Sequence, residues 1–596
     1  SIEGSRGIYR LPPAANDSYY RPNPILVLDR DVGEIDIRAT MMTNNASARA
    51  GLIARASGYA DYYAAYITAH ALRIVRRGAL DETVLAKSEL FLESNKRYRI
   101  RLQVKGSGPV TVRAKAWRLS QPEPRAWMAE YVDANPNALS EPGPFGIFFA
   151  HALDGRGASL RVKEVRAWSR DRPRLTKPAL AFAMAGAPSE DGNQITLRAK
   201  VAVPAKIGFE VAAEPTFTQD VQVVQASRPE PNALSSKAMV DISQMPASSL
   251  VYWRAVTERR GERVVGPTNT FRKAPYTGFP VRFAFGACTR WQAMPHPSFE
   301  QVRLKFPDFF LHQGDFGYVN HRVIDHEKDC YQDHWTRMLM DPNLASLTNQ
   351  VPFAFYQDDS DYGANNVHGA TLRRFTIAAH NQISANPASS YFKFRYGDLA
   401  VFVIDCRRFS TGKDVPDSEK TKLGAAQKQW LMDGMRQAAQ SLDAGLLVVA
   451  SPQAFGSDNN QESWRRGYPL EWQELMTFFR ELRAPVLIVS GDAHGHRLHE
   501  FPRTGLDLQV PRIVEFVSAG TERTKFSSYA DPENLLRQAK GPGFGLIELG
   551  PEEEIAEQRR RTLSLTALRS TDGSVLWRAE YAVVKGVGLI PIVGDL

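Results

Sequence analysis

Cysteine is scarce in this chain of 596 residues. Three cysteines are present, Cys288, Cys330 and Cys406, and all of them lie in the second half of the chain. An odd and sparse count excludes a fold that is held together by a framework of disulfides. The thiols are left for other roles, such as packing in a core or binding a metal.

Long apolar runs, basic runs and repeats are missing as well. No stretch reaches the ~18 apolar residues that a membrane-spanning helix needs, so we expect no membrane span. The net charge is +9, but the basic residues are scattered, and no specific nucleic-acid binding is predicted. The absence of a repeat period excludes a solenoid. No signal peptide is recognisable, and a chain that opens on Ser1 without Met is what removal of an upstream segment would leave.

The composition is that of a globular protein, with 43% hydrophobic and 23% charged residues, and the length predicts several domains. In the first predicted domain, residues 1–172, apolar and polar residues alternate, as in EIDIRATMM and RYRIRLQVKG. This pattern is typical of β-strands and predicts a two-sheet sandwich. It resembles a lectin-like jelly roll of the concanavalin/laminin-G type, for which we weigh carbohydrate binding against mere packing on a neighbour.

A linker rich in Pro and Arg, RDRPRLTKPA, precedes a second predicted domain at residues 178–274. Segments such as NQITLRAKV and SLVYWRAVTE alternate again and are separated by turn residues. This spacing is typical of an Ig/fibronectin-III-like sandwich. We interpret this domain as a spacer without chemistry of its own.

The third predicted domain, residues 279–596, has strands of a different kind. Continuous apolar runs such as VFVI and VLIVS predict strands buried on both faces, and amphipathic stretches such as GAAQKQWLMDGMRQAAQ and LEWQELMTFFRELR predict helices between them. Strands and helices in alternation predict a layered α/β domain. Near the end of the chain, STDGS separates two alternating segments and predicts a hairpin.

The strands of this domain end on polar residues. In DFFLHQGDFGYVN the strand stops on Gly314 and Asp315, which fits either a plain turn or a carboxylate presented at the edge of a sheet. Other strands of the domain end on further potential ligands, namely Cys288, Asp405, Cys406, Asp492, His494 and His496. Because sites of open α/β sheets lie beyond the carboxyl ends of the strands, we expect these side chains to converge.

A convergence of Asp, His, Tyr and Cys, without a Ser-His-Asp arrangement or a Gly-rich phosphate loop, indicates a metal cluster. The segment FYQDDSDYGANN adds three close carboxylates, whose mutual repulsion favours a bound cation over a solvated loop. Such ligands suit Fe, Mn, Ca or Zn, and Asp315 is the candidate for bridging two ions ~3.5–4 Å apart. Two ions can hold a phosphoryl group and activate a water, so the inferred reaction is hydrolysis of a phosphoric ester by a metal-activated hydroxide.

Seven segments carry a family resemblance, and they occur in the order FAFGAC, DFFLHQGDFGY, FYQDDSDYGANN, FKFRYGDLAVFVIDCR, LGAAQKQWL, SWRRGYPLEWQEL and LIVSGDAH. They resemble the PhoD-type alkaline phosphatases and phosphodiesterases, a branch of the calcineurin-like metallophosphoesterases, over roughly residues 180–585. The resemblance implies a four-layer αββα catalytic domain at residues 279–596. It also implies hydrolysis of phosphomonoesters and phosphodiesters, with a small-molecule or polymer substrate, in the periplasm or outside the cell.

The resemblance further implies two or more metal ions. The matching ligands are Cys288, Asp315, Tyr318, Asp359, Asp492 and His494. The first three correspond to a ferric (Fe³⁺) site. The last three correspond to a site for Ca²⁺ or another divalent ion such as Mn²⁺ or Zn²⁺.

One departure from the family pattern concerns the segment Trp-Asp-Asp-His-Asp/Glu, because Ser360 stands where the family has its His. A Ser cannot act as a general acid near neutral pH. Either His321, His326 or His368 takes over this role, or the leaving group needs no proton, or the enzyme is slow.

The candidates for substrate contact or catalysis are Ser360, Asn365 and His496. Asn365 contacts phosphate or merely caps a turn, and the sequence leaves both open. Two alternatives to the hydrolase remain. One is a degenerate metallophosphatase that binds carbohydrate or phosphate, and the other is a hydrolase of another ester such as a sulfate.

Overall fold

The computed structural model describes most of the chain. The described residues are 2–4, 7–11, 25–46, 48–57, 61–77, 82–136, 138–150, 158–169, 180–201, 204–227, 234–259, 261–290, 295–318, 328–387, 389–441, 445–456, 463–501, 512–521, 534–555 and 558–592. The predicted linker and the two candidates His321 and His326 lie outside these residues.

The first part of the chain forms strands, and the alternating segments predicted them correctly. The strands are β1 (Ile2–Gly4), β2 (Gly7–Leu11), β3 (Ile25–Val32), β4 (Ile35–Thr43), β5 (Arg49–Ser57), β6 (Asp61–Ile67), β7 (Ala71–Arg77), β8 (Glu82–Glu89), β9 (Arg97–Lys105), β10 (Val110–Arg118), β11 (Ala129–Asp133), β12 (Gly143–Ala150) and β13 (Ala158–Ser169). They make one sheet in the order β1-β13-β4-β9-β10-β11, with β2 on β13, and a second in the order β3-β12-β5-β6-β7-β8. Apolar residues of both sheets, among them Ile37, Leu102, Leu52 and Ile74, share one buried cluster. A concanavalin/laminin-G-like assignment and the boundary at 172 stay predictions.

The second part is again made of strands. They are β14 (Leu180–Pro188), β15 (Gln194–Val201), β16 (Lys206–Ala212), β17 (Gln222–Gln225), β18 (Ser235–Asp241), β19 (Leu250–Arg259), β20 (Glu262–Val265) and β21 (Asn269–Arg272). One sheet has the order β14-β15-β18, and the other has the order β17-β16-β19-β20 with β21 on β19. Residues from both sheets, such as Leu197 and Trp253, pack into a common core.

Strand β14 is apolar on both faces, and each face packs against a different core. Ala183 and Ala185 belong to the core of the small sandwich. Phe182 and Met184 belong instead to a cluster with helices of the third part of the chain. The small sandwich is therefore docked on its neighbour through a strand that both cores share.

The third part contains the remaining strands, most of which are buried on both faces as predicted. They are β22 (Val281–Gly286), β23 (Thr289–Arg290), β24 (Phe309–Gln313), β25 (Phe316–Gly317), β26 (Phe353–Tyr356), β27 (Phe392–Tyr396), β28 (Leu399–Val403), β29 (Leu446–Ser451), β30 (Val486–Ser490), β31 (His496–Phe501), β32 (Ile513–Ser518), β33 (Leu535–Ala539), β34 (Gly543–Leu549), β35 (Glu553–Ile555), β36 (Gln558–Arg569), β37 (Val575–Val584) and β38 (Gly588–Pro591). One sheet has the order β26-β24-β22-β34-β36-β37-β38, with β35 on β36, and another has the order β27-β28-β29-β30-β32-β31-β33. The hairpin predicted around STDGS is confirmed, because β36 pairs with β37 in antiparallel fashion.

The described helices all lie in this third part. They are α1 (Pro297–Arg303), α2 (Lys328–Leu339), α3 (Pro342–Thr348), α4 (Asp359–Tyr362), α5 (Arg374–Ile383), α6 (Gly424–Ser441), α7 (Trp464–Gly467) and α8 (Pro469–Glu481), with a 3₁₀ turn at Asp417–Glu419. Helices α6 and α8 confirm the two amphipathic segments of the sequence. None of the helices in the described residues has both the length and the apolar character that crossing a membrane requires.

The two large sheets pack against each other. Leu311 of β24 and Val401 of β28 belong to one buried cluster that draws residues from both sheets. Phe310, the neighbour of Leu311, points the other way and packs in a cluster with Trp335 of α2. On the second sheet, Phe402 packs in a cluster with helices α6 and α8.

Candidate metal centre

The strand ends of the two sheets bring the polar residues to one edge. Strands β22, β24 and β26 are parallel neighbours, so their carboxyl ends point the same way. They are followed by Cys288, Asp315 and the pair Asp358 and Asp359. His494 follows β30 of the other sheet and lies with Cys288 and Asp315.

The first group of potential ligands joins a thiol, a carboxylate and an imidazole. Ligand atoms of Cys288, Asp315 and His494 all lie within 4.8 Å of one another. The Sγ atom of Cys288 is 3.6 Å from Oδ2 of Asp315. The hydroxyl of Tyr318 is 3.0 Å from Nε2 of His494, which adds a phenol to the same group.

A second group consists of carboxylates. Asp315, Asp358 and Asp359 also offer oxygens within 4.8 Å of one another. Asp315 thus belongs to both groups, which is the position that a carboxylate bridging two cations must occupy.

The backbone at these residues is held in the left-handed region. Among the described residues, thirteen non-glycine residues have a clearly positive φ, and five of them are predicted ligands: Cys288, Asp315, Tyr318, Asp492 and His494. This conformation is unfavourable for residues with a Cβ, and it concentrates at functional sites where the surrounding structure enforces it. This concentration of left-handed residues marks the edge as a candidate site.

Gly314 allows Asp315 to approach the loop after β26. Its φ is +88°, and a Cβ at this position would lie 2.5 Å from Cβ of Asp358. A side chain would push apart the two loops that carry the carboxylates. The Gly-Asp pair is therefore a close approach of two backbones as well as a turn.

Asp361 positions the loops from within. Its carboxylate accepts hydrogen bonds from the backbone N–H groups of Asp315, Phe316 and Asp358, at 2.6, 3.1 and 3.1 Å. Asp361 is buried, and this burial raises its pKa to about 7. The carboxylate of Asp361 therefore connects the Gly-Asp turn to the loop after β26 by hydrogen bonds, and Asp358 and Asp359 are the potential metal ligands of this loop.

Arg407 is a buried cation at the site. Its Nε donates to Oδ1 of Asp358 at 2.5 Å, and a terminal nitrogen lies 3.6 Å from Oδ2 of Asp359. Burial acts to raise the pKa of Asp359, but the charge of Arg407 and the backbone N–H groups of Asn366 and Ser360 outweigh it, so that the pKa is lowered. Asp359 is therefore held as a carboxylate, the form that binds a cation.

The pKa of Asp315 is shifted in the opposite direction to that of Asp359. Burial raises its pKa well above the usual value, and the charges of Asp359, Asp358, Asp361 and Asp492 raise it further. Among the residues that the structure describes here, several buried carboxylates face the guanidinium of Arg407, and negative charge is in excess. Metal ions would offset this excess, so the donor set fits the cations that the sequence implied.

The structure places the other predicted residues at different distances from this cluster. Asp492 is half-buried, its backbone oxygen lies 4.0 Å from Sγ of Cys288, and its charge acts on Asp315. Asn365 is exposed and donates to the side chain of Asn366.

Ser360 and His496 both make their hydrogen bonds within the protein. The hydroxyl of Ser360 donates to Oδ1 of Asp359 at 3.3 Å. His496 is fully buried, and its ring nitrogens lie 2.9 Å from Oγ of Ser518 and 3.1 Å from the carbonyl of Gly541. The structure does not bring His496 to the carboxylates.

Sequence reasoning missed the roles of Arg407 and Asp361. Arg407 follows Asp405 and Cys406 at the end of β28, and a basic residue directly after a polar strand end was the available signal. Asp405 itself serves the loop, since it accepts from the N–H of Arg407 and from the hydroxyl of Tyr362. Burial raises the pKa of Cys406 to about 12, so this thiol stays protonated and packs in the core.

The side chains gathered at this edge form a donor set that could hold metal ions. The family of PhoD-like phosphatases has a model that matches residues 283–572, and this part of the chain is a PhoD-like phosphatase domain. It belongs with the hydrolases that act on phosphate esters.

Two solved structures have similar folds. The structure of PhoD gives a TM-score of 0.56 at 18% sequence identity, over 71% of this chain and 94% of that chain. The purple acid phosphatase PPD1 from seeds of yellow lupin (Lupinus luteus) gives a TM-score of 0.51 at 10% identity, over 96% of this chain and 95% of that chain. No curated protein matches the chain.

Proposed function

We propose that the protein hydrolyses phosphoric esters, monoesters or diesters, at a centre of two metal ions bridged by Asp315. The observation that carries this proposal is the membership of Asp315 in both ligand groups. Bound there, the ions would supply Lewis acidity that activates a water and offsets the charge of the phosphoryl group.

We assign the two ligand groups to different ions. Cys288 and Tyr318 offer a thiolate and a phenolate beside the shared carboxylate, a set that suits Fe³⁺. The sequence placed His494 at the divalent ion, but His494 lies with Cys288 and Asp315, so we propose it as a ligand of the ferric ion instead. Asp359 and Asp492 offer oxygens, which suit Ca²⁺ or another divalent ion such as Mn²⁺ or Zn²⁺. The chain itself keeps Asp359 ionised through Arg407 and fixes the bridging loop through Asp361.

Further parts of the proposal concern architecture and location. The shared cluster between the two sheets and the helices on their outer faces support a four-layer αββα arrangement. The resemblance to the family supports a periplasmic or secreted protein. Carbohydrate binding by the first sandwich stays a proposal that rests on its strand pattern alone.

A second candidate function is binding without turnover. It is favoured by one observation, namely that Ser360, in place of the family's His, is bonded to Asp359 and offers no proton to a leaving group. The test is an assay of aryl phosphate monoester, bis-aryl diester and aryl sulfate, each with and without a chelator. Turnover of either phosphate that the chelator abolishes supports the hydrolase, and metal-loaded protein without turnover of any of the three supports the binding protein.

The first prediction concerns Asp315→Asn. We expect the variant to lose bound metal and at least ~10³-fold in kcat/KM, because a neutral amide cannot bridge two cations. Elemental analysis, the charge-transfer colour of an Fe³⁺–phenolate–thiolate site and the phosphate assays measure this together. Asp433→Asn, at an exposed position on α6, is the matched control. Full activity in Asp315→Asn would show that the site lies elsewhere.

A further inference from the structure

The loop that follows α4 is fixed at two places. The backbone N–H of Asn366 donates to Oδ2 of Asp359 at 2.8 Å, which ties the loop to a proposed metal ligand. Further along, the backbone N–H of Gly369 donates to the carbonyl of Ser410 at 3.0 Å. His368 is therefore held between two anchored positions of a loop that starts at the second ligand group.

A cleft of about 420 Å³ opens where this loop meets the ligand group. Asn366 and Arg407 line the cleft, and Arg407 lies 3.6 Å from the same oxygen of Asp359 that Asn366 binds. His368 lines the cleft as well. The volume is enough for the organic part of a small ester. A leaving group that extends into the cleft from a phosphoryl group at the metal centre would therefore lie beside His368.

The imidazole of His368 is half-buried, and no other described residue forms a hydrogen bond with its ring nitrogens. Gly412 lies opposite the ring, where a Cβ would be 3.2 Å from both Cε1 and Nε2. Because Gly412 has no side chain, it leaves this edge of the ring uncovered. An imidazole is the side chain that ordinarily changes charge near neutral pH, so it suits proton transfer there. The other titratable side chains that line the cleft are Arg407, Lys413, Asp414, Lys422 and Tyr468.

The other described candidates for proton transfer do not meet these conditions. The hydroxyl of Ser360 donates to Asp359, and a serine is no general acid near neutral pH. Both ring nitrogens of His496 are hydrogen-bonded within the protein, to Ser518 and Gly541. Among the described candidates for this role, His368 is therefore the one that lines the cleft.

We propose that His368 is the general acid of the reaction, and that it protonates leaving groups that depart poorly without a proton, such as alkoxides. This inference rests on the proposed function, because it supposes that a phosphoryl group sits at the metal centre. Hydroxide from water adds to phosphorus, the P–O bond to the leaving group breaks with its electron pair going to oxygen, and the imidazolium gives that oxygen a proton. An alcohol leaves, and the neutral imidazole takes up a proton from solvent before the next turnover.

The experiment compares para-nitrophenyl phosphate, whose leaving group departs without a proton, with butyl phosphate, whose leaving group needs one. We expect His368→Gln to lower kcat/KM about 10²–10⁴-fold for butyl phosphate and less than about tenfold for the aryl ester. His70→Gln, at an exposed position between β6 and β7, is the matched control and should leave both values within about twofold. Equal losses on the two esters, or no loss on butyl phosphate, would overturn the assignment.

A chemical probe of the wild-type protein gives a readout that needs no turnover. Diethyl pyrocarbonate modifies accessible imidazoles, and mass spectrometry of peptides from the metal-loaded protein measures the rate at each histidine. Butylphosphonate at about ten times its Kd leaves about a tenth of the sites free, so modification of His368 should slow about tenfold. Inorganic phosphate, which has no leaving group, should slow it less than about twofold, and His70 should react at one rate throughout.

The two readouts separate this inference from the proposed function. If neither ester is hydrolysed, the hydrolase proposal fails together with the proton transfer, while protection of His368 by butylphosphonate still supports its place beside the leaving group. If the esters are hydrolysed, a loss confined to butyl phosphate supports the general acid. Equal modification rates of His368 with and without butylphosphonate overturn the inference in either case.

Discussion

Among single residues, Ser360 bears most directly on the proposed chemistry, because it stands where a proton donor for the leaving group was expected. It is 2% exposed, and both its N–H and its hydroxyl donate to Oδ1 of Asp359, at 2.6 and 3.3 Å. A hydroxyl used in this way orients a ligand carboxylate and does not protonate a departing alkoxide.

Ser360→Ala is therefore expected to keep kcat/KM within about twofold for both an aryl and an alkyl phosphate. If the serine delivered a proton, the alkyl ester, with its poorer leaving group, would lose about 10²–10⁴-fold while the aryl ester changed little. Steady-state rates on the two esters measure the difference. A selective loss on the alkyl ester would contradict the assignment.

For single residues, the sequence predicts the positions of the candidate ligands better than it predicts the partners of these residues. Cys288 and Asp315 could be placed at one edge because each follows an apolar strand of a layered sheet. The pairing of Arg407 with Asp358 could not, because it depends on how the loops after β28 and β26 meet across two sheets. No local pattern encodes such a meeting.

Among the elements, helix α5 and strand β15 show how the small sandwich is fastened. Arg198 on β15 is 2% exposed and donates to the carbonyls of Asn381, Gln382 and Ser384, at 2.7, 3.0 and 2.7 Å. The last carbonyls of a helix lack partners within the helix. A residue of one domain therefore caps a helix of another.

Arg198→Met should destabilise the protein by about 2–4 kcal/mol, since buried carbonyls are left without donors. Equilibrium unfolding in urea measures the change. Arg259→Met is the matched control, because Arg259 on the same sandwich donates to the exposed carbonyl of Pro204, and we expect its replacement to cost less than about 0.5 kcal/mol. Equal losses in the two variants would show that the helix cap contributes nothing.

Strand positions in this region were predicted correctly from the alternating pattern, but the interpretation of residues 178–274 as a spacer omitted their docking on the third part of the chain. The available signal was the segment LAFAMAGAP, which is apolar at nearly every position. A strand with one exposed face would instead alternate apolar and polar residues. A strand with two apolar faces needs two cores. Only the topology shows that the second core belongs to the neighbouring domain.

For the whole molecule, the pKa of His380 on α5 depends on the contact between the small sandwich and the third part of the chain. Its Nε2 lies 2.9 Å from the carbonyl of Phe355. Burial is the main cause that lowers its pKa to about 4; the hydrogen bond with Phe355 opposes this shift, and the charges of Arg198 and Lys237 from the small sandwich add to it. As pH falls, the imidazole of His380 therefore takes up its proton at a higher pH in the unfolded chain than in the folded protein. The contribution of His380 to the free energy of unfolding falls as pH drops from about 6.5 to about 4.

His380→Asn should reveal this contribution as a difference between two proteins. Relative to wild type, the variant should gain about 3 kcal/mol in free energy of unfolding between pH 7 and pH 4. The comparison is necessary because carboxylates with raised pKa, such as Asp308 and Asp341, gain stability toward low pH and mask the trend in wild type alone. Urea unfolding at several pH values checks it, and a pH-independent difference would refute the account.

The left-handed backbone at the proposed ligands has a consequence for anyone who redesigns this protein. Gly would relieve the conformational cost at each of these positions, so a screen for heat resistance would reward the exchange of Asp492 or Tyr318 for Gly. Every such exchange would remove a proposed ligand. We expect a variant that is stabilised in this way to be inactive. A selection for thermal stability would therefore have to be combined with an activity screen.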